Sequence, residues 1–523
     1  MTKQLSSLQR GIIIPNTLRV LICFMLLRAC GTTISFSDID MATYTLDSLT
    51  KGFKISGTTN NLGSSISTGG DIDNDGFPDL LIGGSGEVTV IYGRGRTSIP
   101  SNNLVTTTLD PATTGFKITG GSSYFGSSVS FAGDVNGDGV DDMIIGDSNG
   151  GYEGNAYVIY GKKERSSLAS INLGSLNPAT TGFVINGPPS YIGVYPTGAV
   201  STVGDINKDG YSDIIVGATG DTGVGIAYVI YGGKNLAMQH IFLEITPLDP
   251  QTTGFKITSR FASLFYDINL STRPVDIDKD GYNDIIFASL DTTVSGDYTT
   301  EVYVIYGREK SATSNIDLAS GLNPSTTGFK LSKGASYHGL GECALSTAGD
   351  IDNDGYDDII LGVSIADGRG AAYVLYGGGR SSRSNIDLST TLNPLTTGFV
   401  IKGHTSSWLG TSVSIAADIN KDGYDDIIIG VGGTYMSATK GAVYVMYGGD
   451  RSNLFNFDFL TRVLDPTLTG FIIKGKANDD YFGRSIASAD FDNDGYDELI
   501  IGASSTIGVH VLYGKIFFFS PKI

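Results

Sequence analysis

The sequence predicts an all-β fold, a ring of seven repeated sheets, and three observations carry that expectation. An acidic nine-residue string containing glycine recurs seven times. Every copy sits in the same order of short apolar segments bounded by turn residues. No stretch after the first 31 residues sustains a helical period. At 523 residues the chain exceeds what one ordinary core supports, so it needs several domains or a closed repeat. Its 72 glycines against 15 prolines, with 17% charged and 10% aromatic residues, suit a turn-rich β protein and argue against disorder or a helical bundle. The net charge of −19 argues against nucleic acid as a partner, because phosphates are held by Lys and Arg.

The first element is a signal peptide or leader over residues 1–31. Lys3, Arg10 and Arg19 precede an apolar run from Val20 to Leu27 and the small residues Ala29 to Gly31. The run is too short to span a bilayer, and no later segment is long and apolar enough to do so. Cys30 invites a lipid-anchored reading, against which Arg28 stands in the cleavage region. The expected location is therefore extracellular or at the cell surface. Cys23, Cys30 and Cys343 are the only cysteines, which leaves no disulfide framework to hold an exported protein together.

The repeat region runs over residues 36–514. Its strings begin at Asp71, Asp134, Asp205, Asp276, Asp350, Asp418 and Asp490, at intervals of 63, 71, 71, 74, 68 and 72 residues. Each repeat reads as four strands. The first is an alternating stretch before the acidic loop, such as SSVSFAGD, and the second an apolar run after it, such as DIIIGV. The third is a segment such as AYVIYG, and the fourth a stretch such as GFKI. Seven four-stranded sheets suggest a seven-bladed β-propeller, with a linear solenoid as the alternative. The last repeat ends at Tyr513 without a GFKI-type strand, while an unused one stands at Gly52 to Ile55. The N-terminal strand is thus expected to close the ring in the last blade. Residues 515–523 form a short tail.

Within each string, positions 1, 3, 5 and 9 carry side-chain oxygens and position 6 is glycine. The candidate ligands are Asp71, Asp73, Asp75 and Asp79; Asp134, Asn136, Asp138 and Asp142; Asp205, Asn207, Asp209 and Asp213; Asp276, Asp278, Asp280 and Asp284; Asp350, Asp352, Asp354 and Asp358; Asp418, Asn420, Asp422 and Asp426; and Asp490, Asp492, Asp494 and Glu498. The residue after the glycine adds a candidate backbone carbonyl: Phe77, Val140, Tyr211, Tyr282, Tyr356, Tyr424 and Tyr496. Six to eight hard oxygens in a tight turn suit Ca²⁺ better than Mg²⁺, giving up to seven ions, one per blade. Position 12 is apolar in every copy, so the helix-flanked calcium loop with its terminal glutamate is excluded. Asp, Asn and Gly also make good turns without any ion, but seven loops filling all four positions weigh against that reading alone. Seven divalent ions would bring the net charge to about −5.

These residues carry a family likeness. The chain resembles FG-GAP repeat proteins, among them the N-terminal propellers of integrin α chains. The FG element stands at Phe125-Gly126 and Phe482-Gly483, less closely at Leu62-Gly63, Ile192-Gly193 and Leu409-Gly410, and the GAP element at Gly217-Ala218 and Gly502-Ala503. The resemblance implies calcium on one side of a propeller and protein ligands on the other. Phe265-Tyr266-Asp267 replaces the FG element in the fourth repeat, which predicts the most irregular blade there. Leg domains and a membrane span are not expected, and this weighs against a heterodimer with a second chain.

Catalysis finds no constellation. His240, His338, His404 and His510 are scattered, and Ser148 between Gly146 and Gly150 lacks the strand-to-helix setting of a nucleophile elbow. The expectation is a non-enzymatic adhesion or ligand-binding module. The alternatives are an accessory propeller of an extracellular hydrolase, phospholipase or glycan-degrading, and a purely structural surface protein. The loops leading into the first strands vary between copies and are expected on the face opposite calcium, where a protein or glycan would meet Tyr124, Tyr191, Tyr337, Trp408 and Tyr481. The loops before the third strands are expected on the calcium face.

Overall fold

The computed structural model describes residues 38–514 except 58–60, 100–101, 149–153, 169–170, 188–198, 220–224, 235–239, 244–246, 259–273, 293–297, 333–342, 365, 433–439, 479–480 and 504–507. The leader, the tail, His338 and the aromatics Tyr191 and Tyr337 lie outside the described residues, as do Ile192-Gly193 and Phe265-Tyr266-Asp267.

The described chain forms seven sheets in a ring, a seven-bladed β-propeller with almost no helix. Blade 2 shows the common plan: Phe125–Gly133, Asp142–Asp147, Asn155–Ile159 and Gly182–Asn186 pair antiparallel in that order. The first strands lie side by side around the axis and are tied by hydroxyls: Ser67 Oγ accepts from the Phe131 N–H, and Thr202 Oγ1 donates to the Ala132 carbonyl. Blade 4 is the irregular one. Among the described residues its first strand is reduced to a bridge between Val275 and Asp284.

The core is divided rather than central. Seven apolar clusters are each shared by two neighbouring blades, because both faces of these strands are covered. The FG and GAP glycines explain how closely the blades approach. The Gly126 carbonyl oxygen lies 2.1 Å from the point a Cβ on Gly83 of blade 1 would occupy, and it accepts a hydrogen bond from Ser65 Oγ. Gly63 stands in the same relation to Gly502, with Ser485 as donor. A side chain at Gly83 or Gly502 would push two blades apart.

The N-terminal strand closes the ring as expected. Gly52–Ser56 pairs antiparallel with Gly508–Leu512, Phe53 opposite Val511. Each four-stranded core is also extended in most blades by a short parallel strand from the following blade. Ile316–Asp317 lies beside Ile257–Thr258, Ile386–Asp387 beside Leu331–Ser332, and Ile39–Asp40 beside Ile473–Lys474.

One expectation is corrected. The loops before the third strands lie with the loops that lead into the first strands, not with the acidic loops. Ser122 donates its N–H to Asp147 at the end of a second strand, and Gly370 bridges to Leu409. The reason is the antiparallel meander itself: successive connections emerge at alternate ends, so the acidic loops and the connections after the third strands share one face, and the loops before the third strands fall on the other.

Candidate metal centres

Each acidic loop is a tight turn held by its own carboxylates. Positions 4 and 6 are left-handed: Asn74 at φ 56° and Gly76 at 92° in blade 1, Lys208 at 58° and Gly210 at 87° in blade 3. The first carboxylate gathers the N–H groups of positions 5 and 6. Asp71 accepts from Asp75 at 3.1 Å and Gly76 at 2.8 Å, and Asp350 from Asp354 at 2.9 Å and Gly355 at 2.7 Å. The fifth carboxylate accepts from the N–H of position 7, as Asp75 does from Phe77.

The ninth position forms the floor. Asp79, Asp142, Asp213, Asp358, Asp426 and Glu498 are 0% exposed. Each accepts from a backbone N–H at the start of its loop and from the glycine after the third strand: Asp79 binds Ile72 and Gly93, both at 2.8 Å. Burial, helped by neighbouring carboxylates, pushes the aspartates well above the usual carboxylate range and Glu498 up to about 9.

In blades 1, 4, 5 and 7 the first, third and ninth carboxylates converge, with oxygens within 4.8 Å of one another: Asp71, Asp73 and Asp79; Asp276, Asp278 and Asp284; Asp350, Asp352 and Asp358; Asp490, Asp492 and Glu498. These four clusters could hold a metal ion. In blades 2 and 3 the third residue is an asparagine whose amide donates to the ninth carboxylate, Asn136 to Asp142 at 3.3 Å and Asn207 to Asp213 at 2.9 Å. Asn420 in blade 6 donates to the fifth, Asp422, at 3.0 Å.

Two buried oxygens test whether a cation fits. Asn207 Oδ1 and Asp492 Oδ1, both at position 3, are shut off from water and accept no hydrogen bond. A buried acceptor without a donor is costly. A hard cation beside an all-oxygen donor set would satisfy it.

Two sets of residues at these loops were not expected from the sequence. Position 8 of one loop ties down the loop before it: Asp141 accepts from the Asp71 N–H at 2.9 Å, Asn283 from Asp205 at 2.9 Å and Asp425 from Asp350 at 3.0 Å. Arginines from the connection between third and fourth strands of the next blade reach the third and fifth carboxylates. Arg165 binds Asp73 and Asp75, Arg380 binds Asp278 and Asp280, Arg451 binds Asp352 and Asp354, and Arg96 binds Asp492 and Asp494. A countable signal existed, since Arg96, Arg380 and Arg451 each stand four residues after the tyrosine that ends a third strand.

On the opposite face Tyr124 is exposed, and Trp408 and Tyr481 are half-buried with left-handed φ of 57° and 50°. Of the histidines, His240 accepts from the Val184 N–H, His404 lies against Phe459 and His510 against Phe482, so these three do not converge.

Comparison with known proteins agrees with this geometry. The FG-GAP repeat matches residues 197–230, 409–446 and 482–510, and an FG-GAP-like repeat matches 71–145. Phosphatidylinositol-glycan-specific phospholipase D of Bos taurus is 29% identical over 276 residues, 49% of this chain and 29% of that protein. Integrin alpha-4 of Xenopus laevis is 28% identical over 32% of this chain and 14% of its own length, and integrin alpha-6 of Gallus gallus 30% identical over 34% and 15%. These matches therefore span less than a third of each relative. The chain thus carries FG-GAP repeats, and its relatives, at modest identity, include integrin α chains.

Proposed function

We propose that this propeller is an exported, non-enzymatic binding module whose acidic loops hold Ca²⁺, up to one ion per blade. The observation that carries the reading is the convergence of the first, third and ninth carboxylates in four of the seven repeated loops, with a buried, unpaired position-3 oxygen at Asp492 in one of them and at Asn207 in a further loop. The side chains at positions 1, 3, 5 and 9 and the carbonyl at position 7 would hold the ion. The bound cation supplies positive charge that lets the buried ninth carboxylate stay ionised. Each loop joins the first two strands of a blade, so an ion there stabilises the folded chain by mass action. Excess chelator should lower the melting temperature by several degrees, and Ca²⁺ should restore it at lower concentration than Mg²⁺. An unchanged melt in chelator overturns the reading.

We place the ligand, a protein or glycan, on the face opposite these loops. Support comes from exposed Tyr124 and from Trp408 and Tyr481, held in a backbone region that bulky residues rarely adopt. Alanine at all three, with folding confirmed, should weaken binding to cell surface or matrix at least tenfold. Loss on altering the acidic loops instead would move the ligand to the other face. The match to the bovine phospholipase D supports a second reading, a propeller that accompanies a hydrolase. Faster turnover of a phosphatidylinositol-glycan substrate by a separate hydrolase when this chain is added would favour it.

A further inference from the structure

The arginines at the acidic loops follow the identity of position 3. Where that residue is aspartate, in blades 1, 4, 5 and 7, a guanidinium arrives from the next blade. Where it is Asn136, Asn207 or Asn420, none does among the described residues. The connection after Tyr306 supplies Lys310, which reaches the fifth carboxylate, Asp209, at 2.5 Å, and Lys162 reaches Asp138 at 3.5 Å from its own blade. The connections after Tyr231 and Tyr513 contain Lys234 and Lys515 but no arginine.

Burial explains the match. The third-position carboxylates are almost out of water: Asp73 is 3% exposed, Asp492 6%, and Asp278 and Asp352 8%. Each lies beside a buried ninth carboxyl, so a second buried negative charge needs a partner. The guanidinium meets this with a two-pronged bond to positions 3 and 5. Its flat face lies over the tyrosine ending the preceding blade's third strand, with Arg165 4.4 Å from the Tyr92 ring centroid and Arg96 4.2 Å from that of Tyr513. The bond uses the outer oxygen of the third carboxylate and leaves Asp492 Oδ1 unpaired. An asparagine adds no charge, and its own amide reaches a neighbouring carboxylate instead.

We propose that Arg96, Arg165, Arg380 and Arg451 are built-in counter-cations that set the affinity of four loops for the metal. Each cancels the additional carboxylate of its loop, so the aspartate and asparagine loops offer a divalent ion the same charge at the buried floor. The inference rests on the calcium reading above. It assigns the affinity to residues that belong to the neighbouring blade.

The test uses the full chain in four forms: wild type, the four arginines changed to Gln, the aspartates at 73, 278, 352 and 492 changed to Asn, and both sets together. Ca²⁺ binding is followed against a chromophoric chelator. In the arginine variant four sites should tighten at least tenfold while three stay put, because one unit charge roughly 6 Å from a divalent ion is worth about that factor even at the dielectric of water. In the aspartate variant four sites should weaken similarly. The combined variant should return to one class of sites. Melting in excess chelator gives a second readout that needs no metal: the arginine variant should melt lower and the combined variant should recover. Arg→Lys at the four positions keeps the charge and covers the case of a Gln variant that does not fold, with titration expected close to wild type. Unchanged or weakened sites in the Gln variant, shifted sites in the Lys variant, or no recovery in the combined form, overturn the proposal. If wild type binds no Ca²⁺ the calcium reading fails, and recovery in chelator then decides the charge pairing alone.

Discussion

His510 shows how a single side chain can be left in a costly place. It stands on the third strand of blade 7 with its Nδ1 buried and without a partner, against the edge of Phe482 at 5.5 Å. Burial, together with Lys54 opposite it and Lys476, holds its pKa down to about 4 from the ordinary 6.5. The folded state therefore resists a proton that the unfolded chain accepts. Stability from this group is complete above pH 6.5 and is lost as pH falls toward 4, by roughly 3 kcal/mol. His510→Phe should flatten that part of the acid limb in denaturant titrations at constant Ca²⁺. An acid limb identical to wild type would show that the imidazole is not held neutral. Nothing in the sequence marked His510, because a lone histidine in an apolar strand has no spacing to read. The loop residues were legible for the opposite reason, since carboxylates at fixed positions recur in seven copies. Ala417 shows the limit of that regularity, standing at φ 49° where Gly133, Gly204 and Gly349 occupy the matching position of other blades.

At the scale of the element, the four strands of a blade were visible because each carries four or more residues of one pattern between turn signals. The short fifth strand was not, because two residues have no periodicity. Its device is an asparagine before it and an aspartate at its end. Asn385 accepts from the Lys330 N–H of the previous blade at 3.0 Å, and Asp387 then accepts from Ser389 at 2.9 Å to start the next turn. Asn315 and Asn456 accept in the same way from Lys256 and Val400. These straps join the outer edge of most blades to the following blade and cover an edge that would otherwise be open to another chain. Asn385→Ala should cost about 1 kcal/mol and speed exchange of the Lys330 amide, while amides of the central strand Asp358–Val363 keep their protection. Equal loss of protection in both strands would mean the blade opens as one unit and the strap holds nothing by itself.

For the whole molecule, the closing strand is what converts seven neighbours into a ring. Blade 7 takes three strands from the C-terminal repeat and its fourth from Gly52–Ser56. The joint is held at several points along its length. Phe53 and Ile55 are buried in a cluster shared with blade 1, the Tyr513 hydroxyl donates to the Ser48 carbonyl at 2.7 Å, and Thr68 Oγ1 donates to the Ser488 carbonyl at 2.8 Å. The same segment places Ile39–Asp40 on the edge of blade 6, so one stretch of chain fastens two blades. Ring closure was legible because a GFKI-type strand was left over at one end and lacking at the other. The division of the core into seven clusters between blades was not, since strand patterns do not say which neighbour covers which face. Removing residues 36–56 should uncover Val509 and Val511 along with an unpaired strand edge. Losing the burial of Phe53 and Ile55 alone should cost roughly 4 kcal/mol, and the open edge should drive association. A peptide of residues 36–56 added to the truncated protein should restore the monomer and raise the melting temperature in proportion to the logarithm of its concentration, as a ligand of the folded state does. A truncated chain that stays monomeric with an unshifted melt would show that blades 7 and 1 hold together without the strand, through the hydroxyl ties and apolar contacts between their first strands.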